Sequence, residues 1–266
     1  MVLILLLGVV TVKFWNTITA VFDGLNYSQD EIENVRVENQ KVVDKELEKY
    51  PDLYFRNLTE DEIKAISEGK ITREDIPYLV TGRKVFKDGA VITAEEYEKL
   101  IEQEKIEEQN KNTQQQPTAE DDKTNSGNSQ ETTVPKQEPV KPQVDPDVPK
   151  TDPELEAVLE KLFVLKATFL ADIETQVNNM IDEYLSIPKK YRSKKVRNEY
   201  ISKAFSLMAQ TEPMYDAEFE TVVKELQTVL EKTGGDMSLV DTVRTTYKKE
   251  KASIKAKYVS KAREYM

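Results

Sequence analysis

The side chains that could do acid–base chemistry in this chain are carboxylates, because it contains no histidine and no cysteine. Two facing carboxylic acids are what most glycosidases need. Acidic residues cluster at four places, each opened by a Ser or Thr three positions before a Glu. The four pairs are Ser28/Glu31, Thr59/Glu62, Thr93/Glu96 and Thr151/Glu154. This spacing is typical of a capping box at a helix start. We therefore predict that these acids begin helices and that the protein is not an enzyme.

The absence of histidine and cysteine also excludes several other kinds of site. Zinc sites built from Cys and His, thiol nucleophiles, Ser-His-Asp triads, iron–sulfur clusters and disulfides all need these residues. No G-x-G-x-x-G, P-loop or EF-hand pattern occurs in the chain. We expect no cofactor and no metal.

Cations gather at two places in the last third of the chain. Between Ser186 and Asn198 there are six and no acid: Lys189, Lys190, Arg192, Lys194, Lys195 and Arg197. The stretch from Val243 onward includes Lys248, Lys249, Lys251 and Lys255. Both clusters are typical of a solvated surface with cations near a helix C-terminus, or of a surface for an anionic partner. That partner could be a protein, a wall polymer, lipid head groups or the acidic first half of this chain. Nucleic acid is disfavoured, because no aromatic platform accompanies the charge.

The first 23 residues predict a membrane anchor. Twelve apolar residues, MVLILLLGVVTV, would span about 18 Å as a helix, less than the roughly 30 Å hydrocarbon core. Continuing to Phe22 reaches the full thickness, with Lys13 snorkelling and Phe14 and Trp15 in the interface. A signal peptide and a buried core helix are the alternatives. The anchor predicts a single-pass membrane protein with most of its chain outside the cytoplasm.

Residues 24–109 predict an acidic, mostly helical module, since residues 1–109 hold 23 acidic and 14 basic side chains. The stretch KVFKDGAVIT alternates around Asp88-Gly89 and predicts a small hairpin. Residues 110–150 contain six of the eleven prolines and predict a disordered, partly polyproline II linker that acts as a tether. Whether the parts on either side touch is left open, as is the oligomeric state.

Residues 151–266 predict three long amphipathic helices, because apolar residues recur every three or four positions. Pro188 should end the first, and Gly234 the second. Pro213 should kink or split the second helix. The fold class is therefore mainly α: a membrane helix, a small helical module, a Pro-rich linker and an elongated antiparallel three-helix bundle.

Two stretches of this bundle, LKATFLADIETQVNNMIDEYLSIPKKYRS and GGDMSLVDTVRTTYKKEKASIKAKYVSKA, carry a resemblance. About the last hundred residues resemble a helical C-terminal region of uncharacterised bacterial membrane-anchored envelope proteins. The resemblance implies a location in the cell envelope, and it implies no activity and no functional residue.

Together these features favour a non-enzymatic, membrane-anchored envelope protein that presents a helical bundle on a flexible tether, in a scaffolding or interaction role. A carboxylate-only hydrolase of envelope glycans is one alternative. A coiled-coil subunit of a larger soluble assembly, with residues 1–22 buried in a partner, is the other.

Overall fold

The computed structural model describes residues 29–113 and 151–265, and this part of the chain is mainly helical, as the sequence predicts. It holds seven α-helices and one two-stranded sheet. In chain order they are α1 Gln29–Leu47, α2 Glu60–Ser67, α3 Ile76–Val80, β1 Lys84–Lys87, β2 Ala90–Thr93, α4 Ala94–Thr113, α5 Pro153–Ser186, α6 Lys194–Thr233 and α7 Ser238–Tyr265.

The three long helices α5, α6 and α7 form an up-down-up arrangement. α5 and α6 run antiparallel, as shown by the Lys161–Glu225 and Glu183–Lys203 ion pairs at opposite ends of their interface. α6 and α7 are antiparallel too, and α5 and α7 are therefore parallel. Their core is one continuous cluster of aliphatic and aromatic side chains that includes Phe169, Leu226 and Tyr258.

The two ends of α6 lie where the sequence predicts, and Pro213 inside the helix does not split it. Ser193 caps its first turn by accepting a hydrogen bond from the Val196 backbone N–H. Gly234 ends it in the left-handed conformation (φ 69°), which glycine adopts without steric penalty. The expected split at Pro213 is absent, because the helix continues unbroken through it. Packing on both neighbours outweighs the one backbone hydrogen bond that proline cannot donate.

Two of the predicted capping boxes are confirmed and one is wrong. Thr59 and Glu62 exchange both hydrogen bonds of the box at the start of α2, and Thr93 and Glu96 do so at α4. At α5 the cap is Asp152, which accepts from the Glu154 N–H at 2.8 Å. Thr151 is instead bound by Asp52, which accepts from its backbone N–H and its hydroxyl at 2.5 Å each. Ser28 lies outside the described residues.

The predicted hairpin is confirmed. β1 and β2 pair antiparallel, with Lys87 opposite Ala90. Asp88 and Gly89 form the two-residue turn with φ angles of 53° and 85°. Positive φ at both central positions is what a type I′ hairpin turn requires, and Asp-Gly is a preferred sequence for it.

The first part of the chain packs directly on the long helices, which answers the question that the sequence left open. Phe55 is 6% exposed and belongs to the same apolar cluster as α5, α6 and α7. Ile76 and Val80 of α3 pack on Ala167 of α5. Beside them, Arg56 makes a buried two-pronged ion pair with Glu62, at 2.6 and 2.8 Å. Both sides of the 110–150 tract therefore share one core.

Helix α1 packs along α7 in the opposite direction. Lys49, just after α1, binds Asp236, just before α7, with 2.8 Å between the Nζ and the carboxylate. The amino end of α1 therefore points toward the carboxyl end of α7. Because α5 and α7 are parallel, the carboxyl end of α7 lies at the same end of the bundle as the connection from α5 to α6.

The predicted anchor at residues 1–23, with Lys13, Phe14 and Trp15, lies outside the described residues, as does most of the 110–150 tract. In residues 29–113 and 151–265, no helix is both long and apolar enough to cross a membrane.

Candidate functional site

Two of the lysines predicted to face an anionic partner are bound within the chain. Lys251 places its Nζ 2.7 Å from the Glu212 carboxylate and 2.8 Å from that of Asp216. Lys255 lies 2.5 Å from the other Glu212 oxygen. Burial lowers the pKa of Lys251, but the hydrogen bonds to Asp216 and Glu212 and the charges of these acids together outweigh it, so the pKa is raised. Lys251 and Lys255 therefore hold α7 against α6 and are not free for a partner.

Other cations of α7 are used in the same way. They pair with acids of three different helices: Arg244 with Glu220, Lys257 with Glu60 and Lys261 with Glu174. Glu60 belongs to α2, so one anion that α7 binds comes from the acidic first part of this chain. The sequence raised this chain's acidic first part as one of several anionic partners, and the Lys257–Glu60 pair is one contact of that kind.

Lys248 and Lys249 differ from the other predicted lysines of α7. Both are exposed, and no described carboxylate lies within 4.0 Å of either. They lie near the middle of α7, beside residues that are paired. They form a patch of two charges, smaller than the cluster at the α5–α6 connection.

The second predicted cluster occupies that connection, and we call residues 187–197 the basic elbow. Lys189 and Lys190 lie in a single 3-10 turn, and Lys194 and Lys195 open α6. All four are exposed. Among the described carboxylates, only that of Glu199 comes within 4.0 Å of one of them, Lys195. The four lysines thus form an accessible surface of positive charge.

The two arginines of the basic elbow are less exposed than its lysines, and Arg192 has a structural role. Arg192 donates from its guanidinium to the backbone carbonyl of Ile187 at 2.7 Å and to that of Leu185, so it satisfies the end of α5. It also lies over the Tyr184 ring, 5.6 Å from the centroid. Arg197 is half-buried, and its Nε has no partner among the described atoms. The sequence could not separate these arginines from the exposed lysines.

The basic elbow also places cations where a helix disfavours them. Lys194 and Lys195 lie in the first turn of α6, which has no acidic residue. The exposed N–H groups of a helix start carry partial positive charge, so cations there are unfavourable and anions favourable. The interpretation that places cations near a helix C-terminus fits Lys189 and Lys190, which follow α5, and it does not fit Lys194 and Lys195. The positive potential of the helix end adds to that of the lysines.

The basic elbow projects beyond the end of α7. Lys261 binds Glu174 and Asn178, and α7 ends four residues later at Tyr265. Because α5 and α7 are parallel, the last residue of α7 is level with about residue 182 of α5. Helix α5 continues beyond that level to Ser186. Two large side chains at this tip face solvent: Leu185 is 43% exposed and Tyr191 is 60% exposed. The tip therefore combines four lysines with two apolar groups.

The sequence also did not reveal an apolar pocket of about 110 Å³, partly open to solvent, between α1, α5, α6 and α7. Leu162, Phe169, Phe219 and Val243 are among its lining residues. The charged groups on its wall include an ion pair, Lys166 with Glu250 at 2.5 Å. No pair of unengaged acids faces into it.

Two tyrosines have strongly shifted pKa values that the packing explains. Burial, and then a hydrogen bond donated to Asp172, raise the pKa of Tyr215. Burial, and then a 2.7 Å hydrogen bond to Asp216, raise the pKa of Tyr247, which stacks on Phe219. These phenols link helices. In the described part of the chain, no three acidic side chains are grouped so as to hold a metal ion.

Comparisons with known proteins were made for the whole chain. No family model matches it, and neither a curated protein nor a solved structure matches it. The basic elbow is therefore the basis for a functional proposal.

Proposed function

We propose that the protein is a non-enzymatic, membrane-anchored protein of the cell envelope that binds an anionic partner through the basic elbow. The observation that carries this proposal is the contrast between two clusters of cations in one chain. Most cations of α7 are paired with acids, whereas Lys189, Lys190 and Lys194 have no described carboxylate within 4.0 Å. A surface of uncompensated charge attracts and orients an oppositely charged partner.

The position of these lysines strengthens the proposal. Glutamate at the first turn of α6 would stabilise that helix, and lysine does the opposite. Lys194 and Lys195 therefore reduce stability slightly, and binding to an anion is a physical reason for them. Most cations of α7 form an ion pair within the chain, so their presence does not require binding to an external anion.

The anchor rests on residues 1–23, on the hydrophobic stretch described above and on the resemblance to membrane-anchored envelope proteins. Extraction of cell membranes with alkaline carbonate tests it. We expect the full chain to stay in the membrane pellet. Release into the supernatant would contradict the anchor and favour a subunit of a soluble assembly.

We propose one change to the sequence-based prediction. The tract at 110–150 was predicted to be a tether between two modules, but residues on both sides of it lie in one core, as Phe55 and Leu155 show. Its length therefore does not set how far the long helices reach from the first part of the chain. We propose that the bundle is presented as one body that includes α1, α2 and α3.

Binding of the detergent-solubilised full chain to polyphosphate, a soluble polyanion, tests the elbow directly. The variant Lys189→Glu/Lys190→Glu/Lys194→Glu should lose most of the affinity. It leaves Arg192 and its bonds to α5 in place. The control Lys224→Glu/Lys248→Glu/Lys249→Glu changes net charge equally, at exposed positions away from the basic elbow. Equal losses in both variants would contradict a localised site.

A further inference from the structure

Resting on that proposed function, we infer that the anion recognised by the basic elbow is the head-group layer of the membrane in which residues 1–22 are anchored. From Lys49 back to Gln29, α1 runs toward the elbow end of the molecule, and Gln29 lies level with about the middle of α5. α1 runs antiparallel to α7, as the Lys49–Asp236 pair shows. Its first residue, Gln29, therefore lies toward the carboxyl end of α7, which is the elbow end.

The distances along the helices agree with this arrangement. Gln29 lies twenty residues before Lys49, so it is level with about residue 256 of α7. That part of α7 is beside about residue 169 of α5, because the Tyr258 hydroxyl donates to the Leu170 carbonyl at 3.5 Å. From there α5 continues for about 25 Å to Ser186. The seven peptide units from Phe22 to Gln29 can span at most about 25 Å. An anchor ending at Phe22 can therefore leave the basic elbow at the membrane surface only with residues 22–29 close to full extension.

The composition of the tip fits a lipid surface better than a soluble polyanion. Lysines near an anionic bilayer are attracted by its surface potential. Tyrosine is enriched at the level of the head groups, where its ring is buried and its hydroxyl is hydrated. Tyr191 and Leu185 supply exposed apolar groups next to the lysines. A soluble polymer would need the charges and would make no use of these two side chains.

The lack of cysteine allows a direct test on the full chain, since an introduced thiol is the sole labelling site. Ser186→Cys carries an environment-sensitive dye at the exposed tip. Thr228→Cys carries it at an exposed site near the opposite end of the bundle. Both are reconstituted in phosphatidylcholine vesicles with and without phosphatidylglycerol, with a quencher attached to the head groups. We expect severalfold stronger quenching at residue 186 than at residue 228, and only in the vesicles with phosphatidylglycerol.

Two variants of the Ser186→Cys protein distinguish the effect of the lysine charges from the insertion of the apolar side chains into the membrane. Lys189→Glu/Lys190→Glu/Lys194→Glu should reduce the quenching to the level at residue 228. Leu185→Ser/Tyr191→Ser should also reduce it but leave polyphosphate binding unchanged. Equal quenching at residues 186 and 228 in anionic vesicles would overturn the inference. If polyphosphate binding still depended on the elbow lysines, the proposed function would stand without the membrane contact. If polyphosphate binding did not depend on the elbow lysines, both the proposed function and the membrane contact would be contradicted.

Discussion

The ring of Phe55 stacks on that of Phe163, with 5.2 Å between the centroids and 16° between the planes. Phe55 precedes the Pro-rich tract by more than fifty residues, and Phe163 lies in the first of the long helices. The contact shows that the two parts of the chain fold against each other. Each part should therefore contribute to the stability of the other.

Truncation of that contact should destabilise the long helices. Phe55→Ala removes a buried aromatic ring, and we expect the free energy of unfolding to fall by about 3–5 kcal/mol. Tyr265→Ala, at an exposed position, is the control and should change it by less than about 0.5 kcal/mol. Urea titration followed by circular dichroism measures both. Loss of the first part alone, with the long helices unfolding as before, would contradict a shared core.

Cleavage of the tract should leave the two parts bound to each other. We propose to insert a protease recognition sequence near residue 130 and to cut the purified chain there. The shared apolar cluster and the Asp52–Thr151 hydrogen bonds should hold the fragments together in gel filtration. Fragments that elute separately after complete cleavage would show that the covalent connection is what joins them.

Glu212 is expected to matter more than other acids on α6, because two lysines depend on it. Glu212→Gln leaves Lys251 and Lys255 with less negative charge in a largely buried setting, and should cost about 1–3 kcal/mol. Glu225→Gln removes the exposed pair with Lys161 and should cost less than about 1 kcal/mol. Thermal or urea unfolding compares the two. Similar losses would mean that the Glu212 pairs contribute no more than an exposed pair.

Stability and binding should change in opposite directions at the first turn of α6. Lys194→Glu/Lys195→Glu replaces unfavourable with favourable charge at the helix start. It should raise the free energy of unfolding by about 0.5–2 kcal/mol. The same variant should bind polyphosphate more weakly than the parent chain. Reduced stability would show that these lysines make favourable contacts in the folded chain.

Alkaline pH should destabilise the fold through its buried tyrosines. Burial raises the pKa of Tyr258 above its ordinary value, as it does for Tyr215 and Tyr247. A raised folded pKa gives stability that is fully present below the unfolded pKa of about 10 and is lost as pH rises through the folded value. Tyrosinate absorbance should show a group of tyrosines that ionises together with unfolding.

The phenylalanine variant at position 258 checks the source of this effect. Tyr258→Phe removes one ionisable group, and its hydroxyl makes only a 3.5 Å hydrogen bond. The loss of stability with pH above about 10 should therefore become less steep. An unchanged slope would mean that the Tyr258 phenol ionises in the same range in the folded and unfolded chain.

Local patterns predicted the fold well where one short stretch decides the outcome. Asp88-Gly89 fixed the hairpin turn, and Gly234 fixed the end of α6, because each needs a backbone conformation that few residues adopt. Thr151 was misassigned because Asp52, ninety-nine residues away, binds it. Pro213 did not split α6, since contacts with α5 and α7 hold the helix together on both sides of it.

The composition of the sequence located the candidate site, but it did not show which of the cations belong to it. The sequence treated Lys251 and Lys194 alike, because both lie in runs of cations. The fold brings Glu212 to Lys251, and it brings no carboxylate of the described residues within 4.0 Å of Lys194. Which cations remain accessible depends on contacts between distant helices, and the spacing of charges along the chain does not encode it.

Site-specific photo-crosslinking in intact cells tests most directly whether the basic elbow is the binding surface. A photoreactive residue would replace Lys195 in one strain and Lys224, an exposed lysine in the last quarter of α6, in another. We predict a high yield of adducts from position 195, a low yield from position 224, and loss of the former when Lys189, Lys190 and Lys194 are changed to Glu. Equal yields from the two positions, or a yield from position 195 that these changes leave intact, would contradict the account.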